Sequence, residues 1–172
     1  MMDRETSILL KAIEADSAKR VEASLRRQPE LIHKELRDGF TPWEKTKTSS
    51  LEVVQMFLSM GADINWTDRQ GRSQVRFCAE DGCLDTLQFL ASKGAILDAR
   101  DHFGYRPIDK ALEHDQAEVV LFLMEKGCNI DARWLEKPPP NSPRCHTLLL
   151  SMAAREAALM AVAQLQGPAA CV

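Results

Sequence analysis

Three segments of this 172-residue chain repeat one another at a fixed step, and that step limits the possible folds more than any single residue does. Gly61-Ala62-Asp63-Ile64-Asn65 returns as Gly94-Ala95-Ile96-Leu97-Asp98 and again as Gly127-Cys128-Asn129-Ile130-Asp131, with the leading glycines 33 positions apart each time. Gly39, Gly71 and Gly104 keep nearly the same step. Each opens a short amphipathic segment: Thr41-Pro42-Trp43-Glu44, Ser73-Gln74-Val75-Arg76 and Arg106-Pro107-Ile108-Asp109. A unit of this length cannot bury an apolar face alone, so such a chain folds only by stacking its units into one continuous core.

The period and the Thr-Pro start at Thr41-Pro42 resemble the ankyrin-repeat family. That resemblance implies an all-α solenoid of stacked helix-turn-helix units joined by β-hairpin-like loops. A single domain over 1–172 is expected, with about five units, the first and last of them capping. The N-terminal cap covers 6–37, repeats cover 38–67, 68–100 and 101–133, a Pro-rich loop covers 134–145, and a divergent C-terminal cap covers 146–166. In the unit 68–100 the spacing predicts a first helix over 73–80 and a second over 84–92, broken at Gly82, with Leu84, Leu87 and Leu90 facing a neighbour. Pro107 suits the first turn of a helix, where its missing N–H costs nothing. Leu148 to Leu165 reads as a final helix pair.

Local chemistry sets the quality of each unit. Thr41 and Glu44 have capping-box spacing. Ser73 is a good N-cap and Arg106 is not, so a charged pair between Arg106 and Asp109 is expected to take over there. The unit 38–67 is one residue short between its glycines, and Thr46 and Lys47 stand where the family prefers alanine. Its first helix is expected to be short or distorted.

Charge and composition narrow the function. The net charge is −3 with both signs interspersed, which favours neither nucleic acid nor a membrane surface and leaves a protein as the expected partner. The N-terminal apolar run, Ile8 to Leu10, is too short and too close to acids for a secretory signal. No stretch reaches the roughly 18 apolar residues of a membrane span. Five cysteines without C-x-x-C spacing argue against a disulfide framework and a zinc site, so a cytoplasmic or nuclear location and a chain monomeric on its own are expected. Cys78 and Cys128 read as small core residues. Phosphate-loop, dinucleotide, nucleophile-elbow and zincin motifs are missing, the four histidines do not share metal-ligand spacing, and no catalytic, cofactor or metal site is expected. Cys145 beside His146 is the one place where a lowered thiol pKa comes into question. The terminal Ala169-Ala170-Cys171-Val172 offers a hydrophobic carboxylate of the kind PDZ grooves accept.

In the ankyrin family the concave surface of hairpin tips and first helices is the usual binding face. By repeat register it carries Arg37, Asp38 and Phe40; then Thr67, Arg69, Gln70, Arg72, Glu80 and Asp81; then Arg100, His102, Phe103, Tyr105, Glu113 and His114; with Arg133 and Trp134 at its end. Arginine and large aromatics are the types enriched at binding hot spots. Arg37, Arg69, Arg72, Arg100 and Arg133 form a broken basic row, while Trp66 and Trp134 are candidates that packing also claims. The segment Gly82-Cys83-Leu84-Asp85-Thr86-Leu87 and the shortened second unit are similar to the small ankyrin inhibitors of G1 cyclin-dependent kinases. Phe77 and Glu80 stand where that family places its kinase-facing Asp and Arg, so kinase inhibition ranks below a general protein-binding module. An adaptor or assembly chaperone for a larger complex would use the same surface.

Overall fold

The computed structural model describes residues 4–34, 36, 41–46, 50–137 and 139–165. Four antiparallel pairs follow one another along the chain: α1 (Arg4–Glu14) with α2 (Ala18–Arg27), a 3-10 turn (Trp43–Thr46) with α3 (Leu51–Ser59), α4 (Gln74–Asp81) with α5 (Leu84–Ser92), and α6 (Pro107–Glu113) with α7 (Ala117–Glu125). A short 3-10 turn (Pro29–His33) follows α2, and two further helices close the array, α8 (Ala132–Glu136) and α9 (Pro143–Leu165). Within the stack α4 packs on α6, α3 lies between α2 and α5, and α9 lies on α7. One apolar cluster runs unbroken from Leu9 to Leu149. This is the all-α solenoid expected from the repeat, and no helix among the described residues is long and apolar enough to cross a membrane.

The turns inside three of the pairs follow the same 33-residue step. Asp16, Gly82 and Asp115, with φ of 48°, 77° and 57°, hold the left-handed conformation that reverses the chain. The step from Asp16 to Gly82 is twice that from Gly82 to Asp115. Glycine suits the middle site, because its positive φ strains other residues and a Cβ there would push aside the Gln116 side-chain amide. The two aspartates tie one unit to the next: Asp16 Oδ1 accepts from Ser50 N at 2.9 Å, and Asp115 Oδ1 from Cys145 N at 2.8 Å.

The short unit is distorted as its sequence predicts. Trp43–Thr46 makes only a 3-10 turn, closed by the Thr46 hydroxyl donating back to Trp43 O at 2.7 Å. The main-chain carbonyl of Thr46 is taken instead by Gln74 Nε2 of the next unit at 3.2 Å. The Glu44 side chain, Lys47, and Arg37, Asp38 and Phe40 lie outside the described residues, as do the terminal residues 166–172. With one 3-10 turn in place of a helix, this unit opens most easily. Amide exchange at 43–46 is therefore expected to run at least tenfold faster than in α6; equal protection would contradict the assignment.

Two expectations are corrected. Leu148 to Leu165 forms no helix pair, because α9 is a single helix that starts at Pro143, inside the segment expected to be loop. The reversals at Asp16, Gly82 and Asp115 need glycine or a small polar residue, and 148–165 contains no glycine, aspartate or asparagine to break its alanine, leucine and methionine run. The Arg106–Asp109 charged pair also does not form. Asp109 Oδ2 instead accepts from the backbone N–H of Arg106 at 2.8 Å, while the Arg106 guanidinium turns to Asp98 at 3.6 Å and donates to Asn129 O at 3.3 Å.

Candidate functional site

The tips of the loops between units are shaped by buried carboxylates. Asp68 Oδ1 accepts from Gln70 N and Arg72 N, both at 2.9 Å. One step later Asp101 Oδ1 accepts from Phe103 N at 3.0 Å and Tyr105 N at 2.9 Å. These bonds fix the turns that present Arg69, Arg100, His102 and Phe103. Successive tips are joined by His102 N donating to Gln70 O at 2.9 Å, and His102 packs so closely on Gly71 that a Cβ there would lie 2.7 Å from its ring.

Asp68 also receives Arg72 Nε at 2.7 Å and Nη2 at 2.6 Å. Burial alone would raise the Asp68 pKa, but the Arg72 side chain and the backbone N–H groups of Arg72 and Gln70 hold it below the ordinary carboxylate value. Its folded pKa is therefore depressed. The stability it contributes is present above about pH 4, where an unfolded aspartate is ionised, and is lost as pH falls through the folded value. Asp68→Asn is expected to flatten the acid side of a thermal-midpoint-against-pH curve, and an unchanged acid limb would count against this role.

On the inner face, α4 and α6 lie side by side. Arg76, whose side chain is 10% exposed, pairs with Glu80 and stands 3.5 Å from Asp101 Oδ2. Glu80 also meets His114 Nε2 at 3.4 Å, and Lys110 Nζ meets Glu113 at 2.6 Å. Asp81 ends α4, where the helix dipole disfavours negative charge. Burial and the neighbouring Glu80 carboxylate push its pKa up. Arg72 and Arg76 both lie over the Phe77 ring, at 5.1 and 5.4 Å.

At the far end of the face a single carboxylate gathers the chain. Asp109, 1% exposed, accepts from Trp134 Nε1 at 2.6 Å through Oδ1 and meets Arg133 Nη2 at 3.2 Å through Oδ2, beside its bond to Arg106 N. The Arg133 guanidinium covers Tyr105 at 5.4 Å and Trp134 at 4.9 Å, and Lys110 Nζ lies 4.0 Å from the Tyr105 ring centre. Helix α8 buries none of its own residues and is fixed to the array through these contacts.

The described residues named by repeat register divide in kind. Arg69, Asp81, Arg100, His102, Phe103, His114 and Arg133 are exposed, whereas Arg72, Glu80, Tyr105, Glu113 and Trp134 are half-buried in contacts within the chain. Arg100 donates to Gly104 O at 2.8 Å. Two members of the basic row are balanced, since Asp68 answers Arg72 and Asp109 answers Arg133. Register alone missed Asp68, Asp101 and Asp109, although two of them are themselves 33 positions apart. A cleft of about 620 Å³ lies elsewhere, between α3 and α5 on the outer layer, with Leu58, Ile64, Phe89 and Lys93 in its lining. Cys145 is fully buried against Ala111 O, and burial together with Asp115 pushes its pKa up to about 12, so the Cys145-His146 pair supplies no thiolate at neutral pH. Among the described residues, no cluster of histidine, cysteine and carboxylate side chains is placed to hold a metal ion.

A family model described as Ankyrin repeats (3 copies) matches residues 45–133. No curated protein matches the chain.

Proposed function

Because the chain belongs to the ankyrin-repeat family, whose repeats are generally protein–protein interaction modules, we propose that it is a non-catalytic module binding a protein partner through the inner face from Arg69 to Trp134. The observation that carries this reading is Phe103. It is 67% exposed, the most exposed of the large apolar side chains described, on a turn whose backbone is pinned by the buried Asp101. A rigid turn presenting an aromatic ring between Arg100 and Tyr105 offers a preformed anchor that loses little entropy on binding. Exposed Arg69 and Arg100 at the rim, with Asp81 and His114 deeper on the face, suit a partner segment carrying both signs of charge.

Kinase inhibition gains no support from the face itself. Phe77 is buried under two guanidinium groups at the position where those inhibitors carry a kinase-facing aspartate. The unpaired cysteine number favours the cytoplasm or nucleus as the place of action. Affinity capture from extract, run with the wild type and with Arg100→Glu/Phe103→Ala/Tyr105→Ala, tests the proposal. A protein held by the wild type and lost by a variant of unchanged circular dichroism is the expected result. Equal retention by both would move the site off this face.

A further inference from the structure

Positive charge is concentrated at the N-terminal end of the stack. Helix α2 carries Lys19, Arg20, Arg26 and Arg27 against the one carboxylate Glu22; four cations less one anion leave a surplus of three, in a chain whose net charge is −3. Arg26 is answered by Glu22 at 2.5 Å. Arg20 and Arg27 belong to another stripe of the helix, with Ala23 and Ser24 between them at helical spacing. Across a cleft of about 380 Å³ this stripe meets Ile8, Lys11 and Ala12 of α1.

The cleft has an apolar floor and a cationic rim. Ala12 and Ser24 are buried at its base, and the Ser24 hydroxyl already donates to Arg20 O at 3.0 Å. Ile8 is 38% exposed, and Lys11, Arg20, Ala23 and Arg27 are exposed. Among the described residues the lining contains no carboxylate, and neither Lys11 nor Arg20 has an ion-pair partner. Arg27 reaches only Glu5, at 4.0 Å on an exposed rim where a pair is worth little. Because α1 and α2 are antiparallel, Lys11 and Arg20 stand together near the turn that joins them. Arg27 lies seven residues further along α2, about 10 Å away. Cations thus hold both ends of the cleft, with Ile8 and Ala23 between them. From this arrangement we propose that the α1–α2 cleft docks an acidic amphipathic helix of a protein partner. An apolar side chain of that helix sits between Ile8 and Ala23, and carboxylates two turns apart answer Lys11 and Arg20 at one end and Arg27 at the other. A helix with acids at i and i+7 and apolar residues at i+3 and i+4 presents these groups on one face at the required spacing. A nucleic-acid backbone would use the cations and leave the apolar floor uncovered, and a bilayer surface takes protruding apolar groups rather than a recessed floor. The cleft is built by α1 and α2 alone, so this contact is separate from binding at the inner face and is tested without it.

Fluorescence anisotropy of the full chain with a labelled helical peptide tests this directly. The probe carries glutamates at i and i+7 with leucines at i+3 and i+4, and its control has lysine in place of both glutamates. The wild type is expected to bind the acidic peptide saturably below about 1 mM, more weakly as salt rises, and not to bind the control. Two variants separate charge from apolar contact. Lys11→Glu/Arg20→Glu breaks no ion pair among the described residues, and Ile8→Gln keeps the charge. Each is expected to weaken binding by at least about tenfold with unchanged circular dichroism. Absence of saturable binding by the wild type, or unchanged affinity in either variant, would overturn the proposal. Equally tight binding of duplex DNA, or of vesicles of phosphatidylcholine and phosphatidylserine, would also overturn it and make the cleft a general anion surface.

Discussion

Asp109→Ala is expected to destabilise the protein by about 3 kcal/mol, the lower end of the range for breaking a buried charge pair, and to release α8 from the array. The substitution removes the acceptor of Arg106 N, leaves the Trp134 indole N–H without its 2.6 Å partner, and strips Arg133 of its buried counter-charge. Each donor left unsatisfied in a buried site costs about 1–3 kcal/mol, so the loss exceeds that of an ordinary N-cap change. For a chain of this length each kcal/mol shifts the thermal midpoint by about 2–4 °C, giving an expected fall of roughly 6–12 °C. Urea unfolding measures the first quantity. Amide exchange over 132–136 measures the second, because α8 has no fully buried residue and only the half-buried Trp134 packs on the core once the carboxylate is gone. A variant with wild-type stability and wild-type exchange in α8 would show that Asp109 does not organise this end of the face.

Phe57→Ala is expected to cost about 3–5 kcal/mol, the range for truncating a buried aromatic. Phe57 is fully buried in α3, its ring 5.6 Å from that of Trp43. The unit around it has a 3-10 turn where its neighbours have a helix, so the Trp43–Phe57 contact carries much of what joins its two halves. The cavity lies between the N-terminal pair and the rest of the stack. A repeat array is held by nearest-neighbour interfaces, and the variant is therefore expected to unfold with α1 and α2 uncoupled from α4 to α7. Two separated transitions in urea, one matching residues 4–34 by exchange, are the expected signature. A single transition shifted by less than about 1 kcal/mol would mean that the site repacks without loss.

The helices could be read from the sequence because their signals are local and repeated. Gly82 and the spacing of Leu84, Leu87 and Leu90 place α5 over the residues expected, and Ser73 caps α4 through its Oγ as its residue type predicts. Pro107 opens α6 for the same kind of reason. The short turn of the unit around Trp43 was equally visible, in the missing residue and in Thr46, whose hydroxyl competes for a backbone carbonyl. At the C-terminal end the family pattern calls for a helix pair but the residues supply no reversal, and local chemistry prevailed over the period.

The chemistry of the face was less legible. Register assigns a residue to a side of the stack but does not reveal which side chains spend their hydrogen bonds inside the molecule. Arg72 and Arg133 look like free rim charges in the sequence, yet each answers a buried aspartate, four positions away in one case and 24 in the other. Asp109 reads as a local helix-start residue, and its bond to Trp134 depends on α8 folding back across the last turn. What survives as an exposed anchor is narrower than the register suggested, with Phe103 at its centre and Arg69, Arg100 and His102 around it.

The central claim is that this inner face, and not the large outer cleft, is where a protein partner binds. It is tested most directly by measuring the affinity of the captured partner for Phe103→Ala and for Phe89→Ala, a residue lining the outer cleft. The account predicts at least a tenfold loss for Phe103→Ala, about 1.4 kcal/mol, and wild-type affinity for Phe89→Ala. The reverse pattern would contradict it and place the binding surface between α3 and α5.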